Sequence, residues 1–255
     1  MNNDLARLGF HVSSLISSAM IVNGMGQSRE LIFKQFVTLV VSLGPSISLV
    51  RVLRADLEGL TAAADVVRKG GVICYPTETV YGLGCDPFDA SAVERSMQVK
   101  GARTKPMPVL VKDLKNAKRL AQVSGHATKL ARRFWPGPLT IVLPALGVLP
   151  KILVPSGTIG LRSPKHAVCL SLLGLCSGAL VGTSANLSGH SPAVSADQVV
   201  RDLGDRVDLI LNGGTTPLGV ASTVVDLTKP HVTILRVGPI GKQEIMQCLR
   251  EKASR

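Results

Sequence analysis

Aromatic side chains are scarce in this sequence: one Trp, two Tyr and five Phe make up 3% of 255 residues. A core built from it must be mostly aliphatic, and a reader of single-stranded nucleic acid, which stacks bases on aromatic faces, is disfavoured at the outset. Cysteine is sparse as well. Cys74, Cys85, Cys169, Cys176 and Cys248 are odd in number, contain no C-x-x-C pair and lack metal-ligand spacing. They read as buried, reduced thiols of a cytoplasmic protein. Long apolar runs are missing too. In the first fifty residues the longest, Phe36 to Leu43, is stopped by Gly44-Pro45. It is too short to span a bilayer and too far from the start for a simple signal peptide, so no membrane partner is expected.

Negative charge is the other shortage. Asp and Glu number 17 against 29 Lys and Arg, a formal net charge of +12. Such a surplus implies polyanionic partners or simply a solvated basic surface. The 45% hydrophobic and 18% charged content excludes a disordered chain, and the length suits one large domain or two small ones.

Residues 1–50 hold few charges and read as a separate N-terminal extension, a helix followed by a short strand or loop, or as translation from an upstream start codon. From Val52 the pattern becomes regular. Leu57 to Lys69 repeats apolar residues three and four apart and is closed by Gly70-Gly71, which predicts a helix. Val72 to Tyr75 then reads as a buried strand ending at Pro76. Further helices are expected over Ala90–Val99, Leu114–Gln122, Val168–Leu175 and Asp197–Leu203. Strands are expected over Pro108–Val111, Thr140–Leu143, Thr158–Leu161, Ala179–Gly182, Leu209–Leu211, Thr223–Asp226 and Val232–Arg236. Some of these strands follow one another closely, which favours a mixed α/β sheet over a strictly parallel one. Residues 241–255 read as a C-terminal helix or tail.

Six segments could carry chemistry. Tyr75-Pro76-Thr77-Glu78-Thr79-Val80-Tyr81-Gly82-Leu83-Gly84 runs a buried strand into a hydroxyl-rich turn and two glycines, where backbone and hydroxyls can meet a ligand. An ordinary strand-to-loop connection would look much the same. Lys100-Gly101-Ala102-Arg103-Thr104-Lys105-Pro106 gathers three cations beside a glycine, suited to a polyphosphate or to open solvent. In Trp135-Pro136-Gly137-Pro138-Leu139-Thr140 the prolines fix the loop and the Trp anchors it, a structural reading. Arg162, ending the apolar strand Thr158–Leu161 before Ser163-Pro164, can grip a carboxylate with two prongs. Gly182-Thr183-Ser184-Ala185-Asn186-Leu187-Ser188-Gly189 offers short hydroxyl and amide groups for phosphate and ribose oxygens, or for a helix cap. The last is Ala221-Ser222-Thr223-Val224-Val225-Asp226 with Ile234-Leu235-Arg236-Val237-Gly238.

In this order and spacing, YPTETVYGLG, FWPGPLT, GTSANLSG and STVVDL through LRVG closely resemble the YrdC/Sua5 family of threonylcarbamoyl-AMP synthases, over about Arg51 to Ile240. The chain looks like the short form, without the further C-terminal domain of longer members. The resemblance implies a twisted mixed α/β sheet with flanking helices around a basic concave groove. It implies synthesis of threonylcarbamoyl-AMP and pyrophosphate from L-threonine, bicarbonate or CO2, and ATP, for t6A modification of tRNA at adenosine 37 by a downstream transferase complex. Matching positions place Thr79, Arg162 and Ser222 on threonine, with Arg162 on its carboxylate. Lys100, Arg103, Lys105, Thr158, Ser184, Asn186, Ser191 and Arg236 fall to ATP. Mg2+ is expected with the ATP, and no protein residue is expected as metal ligand, acid–base dyad or covalent nucleophile. His166 and His190 lie near the motifs and read as structural or exposed. Two departures stand out: the family's K-x-R element reads Lys100-Gly101-Ala102-Arg103, with the loop one residue short, and Leu110 sits where some members carry a polar threonine contact. The competing readings are a carbamoyl-adenylate-forming module of hydrogenase maturation and a double-stranded RNA-binding groove driven by charge.

Overall fold

The computed structural model describes residues 38–42, 47–101 and 106–251. Of the extension read at residues 1–50, residues 1–37 and 43–46 lie outside the described residues. Twelve strands form two six-stranded mixed sheets among the described residues. The strands of the first are β1 (Thr38–Ser42), β2 (Ile47–Arg54), β3 (Ile73–Tyr75), β4 (Gly82–Gly84), β9 (Thr183–Ser184) and β10 (Leu209–Asn212). Their spatial order is β1-β2-β10-β3-β4-β9. β10 runs parallel to both β2 and β3, while β4 is antiparallel to β3 and β9. The sheet thus reaches upstream of Arg51, into the run that the sequence assigned to an extension.

The second sheet holds β5 (Val109–Val111), β6 (Leu139–Pro144), β7 (Thr158–Arg162), β8 (Ala179–Val181), β11 (Thr223–Asp226) and β12 (Thr233–Arg236), in the order β12-β11-β6-β7-β5-β8. β11 is parallel to β6 and β5 to β7; the other pairings are antiparallel. The mixed order expected from closely spaced strands is therefore found. β8 and β9 are separated by Gly182 alone, so one short stretch of chain passes from the second sheet into the first.

Among the described residues, seven helices flank these sheets. α1 (Leu57–Arg68) buries Leu60, Ala63, Ala64 and Val67, the three-and-four repeat read from sequence, and Asp56 caps it by accepting from Gly59 N at 3.0 Å. α2 (Ala90–Lys100) is capped in the same way by Asp89. α3 (Leu114–Ala117) is a single turn, not the helix expected to Gln122. Ala121 pairs with Ala145, Gln122 N donates to Pro144 O and Leu146 N to Leu120 O, so edge pairing with the end of β6 takes those backbone groups from the helix. α4 (Gly125–Phe134), unanticipated, starts at the cap Ser124 and packs against α7 (Lys242–Arg250). α5 (Ala167–Leu175) lies against α1, and α6 (Ala196–Leu203) follows the Ser184 turn. Among the described residues no helix is long and apolar enough to cross a membrane.

Two apolar clusters fill the interior, almost wholly aliphatic apart from Tyr75, Tyr81 and the edges of Phe134 and Trp135. All five cysteines are free thiols; Cys74, Cys85, Cys169 and Cys248 are buried. Burial pushes the Cys85 thiol up to about 12 and Cys176 to about 11, leaving little thiolate at neutral pH.

Candidate active site

The turn after β3 is built around Thr77. Its hydroxyl lies 2.9 Å from Thr79 Oγ1, donates to Val80 O at 2.7 Å and accepts from Thr79 N at 3.2 Å. This folds Thr79 back over the end of the strand, fully buried yet on a cavity wall. The two glycines that follow have a different task from the one the sequence suggested. A Cβ at Gly84 would stand 2.1 Å from Val181 O and 2.9 Å from the Tyr75 ring, and one at Gly82 also 2.9 Å from that ring. Tyr75 lies under β4 and donates to Val181 O at 2.8 Å, so the glycines admit an aromatic ring and a crossing strand. Gly82 still lines the cavity with its backbone.

The cavity, about 190 Å³, opens between β4 and β9 of one sheet and β5, β6, β7 and β12 of the other, with Ala221 and Ser222 just before β11. That is below the roughly 300–1,000 Å³ of drug-sized ligand pockets, so it suits a small metabolite or one end of a larger one. Its wall carries Thr79, Thr140, Arg162, Thr183, Ser184, Ser222 and Arg236 beside apolar Val80, Pro108 and Leu110. Among the described residues, two guanidiniums face it and no carboxylate lines it. Burial, and behind it the neighbouring Arg162 charge, draw Arg236 below its ordinary value. Two guanidiniums on a wall whose one counter-ion, Glu78, stands behind it make a site that favours anionic ligands.

Each arginine is held from behind. Arg162 ends β7; its Nε donates to Gly137 O at 3.3 Å and its Nη2 meets Glu78 Oε2 at 2.6 Å, with both side chains under a tenth exposed. Arg236 ends β12 and grips Ser222, whose hydroxyl also lies 2.8 Å from Thr140 Oγ1. Gly238 lets the chain after Arg236 press onto residues 221–223, since a Cβ there would fall 2.4 Å from Ala221 O.

Of the residues singled out from sequence, Thr79, Arg162, Ser184, Ser222 and Arg236 converge on this one cavity. Lys100 and Asn186 stand behind it. Lys100 Nζ donates to Ser184 O at 2.7 Å, Asn186 O at 2.6 Å and Asn186 Oδ1 at 2.9 Å, and Asn186 Nδ2 donates to Leu187 O and His190 O. Both therefore build the turn that presents Ser184. Thr158 is at the far end of β7, paired with Pro144 and about 13 Å from Arg162 at ~3.3 Å per residue, but on the same face of the strand. Between them Gly160 has no side chain, and its neighbours close over the gap: a Cβ there would come within 3.1 Å of Thr140 Cγ2 and 3.4 Å of Pro108 Cβ. Ser191 is exposed and is not on the cavity wall. Arg103 and Lys105 lie outside the described residues. His190 is exposed, and burial lowers His166 below its ordinary value against an opposing pull from Glu78. Leu110, the apolar departure, lies on the wall with its side chain against Gly182.

Sequence reasoning missed Glu78 and Thr140 as parts of the site. Glu78 had a signal, a lone carboxylate inside a buried hydroxyl turn. Thr140 had only its place at the end of a motif read as structural.

The Sua5/YciO/YrdC family model, described as telomere recombination, matches residues 65–238. The chain belongs to that family. Among its family relatives, the threonylcarbamoyl-AMP synthase of Pyrococcus abyssi is 38% identical over 192 residues, covering 74% of this chain and 56% of that protein. A putative threonylcarbamoyl-AMP synthase of Mycobacterium tuberculosis is 38% identical over 194 residues, covering 75% and 89%. The crystal structure of P. abyssi Sua5 complexed with L-threonine superposes with a TM-score of 0.73 at 36% identity, over 78% of this chain and 60% of that one. The chain thus spans little more than half the length of the P. abyssi family member and most of the M. tuberculosis one.

Proposed function

We propose that the protein is an L-threonylcarbamoyladenylate synthase. The observation that carries this reading is the convergence of Thr79, Arg162, Ser184, Ser222 and Arg236 on one small cavity with two cations and no lining carboxylate. Threonine would lie with its carboxylate against Arg162 and its polar atoms near Thr79 and Ser222. Leu110 and Pro108 give the apolar wall that its methyl group needs. The triphosphate would run toward Ser184 and Arg236, with Arg103 and Lys105 adding charge, Lys100 and Asn186 holding the Ser184 turn, and Thr158 and Ser191 further out.

The threonine amine, once it has lost a proton, attacks CO2; the N–C bond forms as one C=O π pair moves onto oxygen, and a second proton leaves nitrogen to solvent to give the carbamate. A carbamate oxygen then attacks the α-phosphorus of ATP as the bond to the β-phosphate oxygen breaks, and pyrophosphate leaves with that electron pair. The residues contribute position and positive charge: Arg162 fixes the amino acid, and Arg236 faces the charge that develops on the phosphates. Among the described residues no set of three or more His, Cys, Asp or Glu could hold a metal. Mg2+ would accordingly be carried mainly by the phosphates, with the hydroxyls of Thr183 and Ser184 as neighbouring oxygen donors, and would neutralise phosphate charge. The product would serve a separate transferase that modifies tRNA at adenosine 37, in the cytoplasm.

The test is pyrophosphate release with each amino acid in turn, with and without bicarbonate. Turnover that needs threonine and bicarbonate together, and is lost in Arg162→Ala, is expected. Turnover indifferent to the amino acid would overturn the reading, and salt-sensitive binding of double-stranded RNA without any turnover would replace it.

A further inference from the structure

Glu78 does not line the cavity, yet it is the charged partner of the arginine that does. It is 5% exposed and Arg162 6%, and the two meet at 2.6 Å. The contact is one of charge. Its angles fall outside those of a hydrogen bond, so both Glu78 oxygens and Arg162 Nη2 keep unspent bonding capacity while sealed from solvent. Buried polar atoms left in that state are costly, so stability alone does not account for the pair. The Glu78 carbonyl is fixed by Leu218 N at 3.0 Å, and the side chain belongs to the same turn that Thr77 organises. Arg162 is thus anchored at Nε by Gly137 O and steered at Nη2 by Glu78.

A two-pronged grip on a carboxylate depends on the guanidinium plane as much as on its charge. The geometry points to Glu78 as the positioning residue for the amino-acid end of the cavity: a standing counter-ion that, with Gly137 O at Nε, holds Arg162 in place and restrains it from swinging toward other anions. It also cancels one of the two positive charges, so that Arg236 is left as the stronger pull on phosphate. An α-carboxylate is then selected by fit to a held fork, and not by charge alone. This rests on the reading of Arg162 as the carboxylate partner of threonine.

The experiment compares the wild type, Glu78→Gln and Glu78→Asp. It measures threonine and ATP dependence of pyrophosphate release, together with calorimetric binding of L-threonine and of threoninol, its analogue without the carboxylate. Thermal melts identify folded variants. In Glu78→Gln the KM for threonine should rise about tenfold or more, the KM for ATP should stay within about threefold, and the preference for threonine over threoninol should narrow. Glu78→Asp, which keeps the charge at shorter reach, should fall between, and it carries the test if the Gln variant does not fold. A variant that loses threonine and threoninol binding equally, or that matches the wild type in both, overturns the Glu78 proposal alone. A wild type that binds threonine no better than threoninol overturns the Arg162 assignment, and the Glu78 proposal with it.

Discussion

Arg236 holds Ser222 twice, donating from Nε to its carbonyl at 2.9 Å and from Nη2 to its hydroxyl at 3.1 Å. The hydroxyl stands in turn 2.8 Å from Thr140 Oγ1, so three elements, β12, β11 and β6, are joined by one buried serine oxygen at the cavity wall. A hydrogen bond to a charged group is worth about 1.5–3 kcal/mol, and ~1.4 kcal/mol is tenfold in rate. Ser222→Ala should therefore lower kcat/KM by about ten- to a hundredfold with a near-normal melting temperature. Thr140→Val should cost less, because the Arg236 contact survives. Steady-state kinetics on both variants checks this, and equal losses would show that Arg236 is not aimed by the hydroxyl.

Lys100 is 2% exposed and spends its donors on the Ser184–Asn186 turn. Lys100→Met keeps the length and removes the donors, which leaves buried carbonyls short of partners at about 1–3 kcal/mol. Stability should fall by about that amount in urea unfolding, and the KM for ATP should rise as Ser184 loses its support. A stable variant with only the ATP effect would make Lys100 a direct phosphate ligand.

Gly84 cannot accept a side chain without moving Val181 or Tyr75. Gly84→Ala should destabilise by about 3 kcal/mol or more, at the upper end of overpacking effects. Gly147→Ala, where nothing lies within 4 Å of the added carbon, should be close to neutral. Thermal unfolding of the pair separates packing from any general intolerance of alanine.

Asp208 precedes β10 and ties three elements together. It accepts from Val72 N at 2.7 Å and from Arg95 Nη2 of α2 at 2.8 Å. Burial alone would raise its carboxyl, but Arg95 and the Val72 N–H outweigh that and hold it below the ordinary range. A depressed folded value gives stability that is full above the unfolded value, ~3.9, and is lost as pH falls through the folded one. Because the pair is partly exposed, Asp208→Asn should cost only about 1 kcal/mol at neutral pH, or a few degrees in Tm. The gap should hold down to about pH 5, begin to narrow near the unfolded value of ~3.9 and close only below the depressed folded value. Melting curves across that range measure it, and a gap independent of pH would assign the stability to the Val72 bond alone.

The fold was readable where periodicity and punctuation agreed. Leu57–Arg68 shows its buried stripe and its cap, and the strands Val109–Val111 and Thr223–Asp226 are short apolar runs with clear ends. Leu114–Gln122 failed because its last residues pair with the end of β6, a long-range claim on the backbone that no local pattern records. β4 and β9 were missed as strands because Gly82-Leu83-Gly84 and Thr183-Ser184 carry turn-like residues whose pairing is set by Tyr75 and Val181. The site was legible as a set of motifs, and Arg162 stood out as a cation at a strand end. What the chain order could not tell was depth: Asn186 and Lys100 look like ligands in sequence and stand behind the wall in space, while Glu78 became visible only through its contact with Arg162.

The small residue in the middle of β7 has a consequence for the strands beside it. Thr158 and Arg162 occupy the two ends of one strand face, and between them the Thr140 methyl and Pro108 lean over Gly160. Any side chain at 160 would push those two neighbours away, and Thr140, which touches Ser222, would carry the disturbance to the cavity wall.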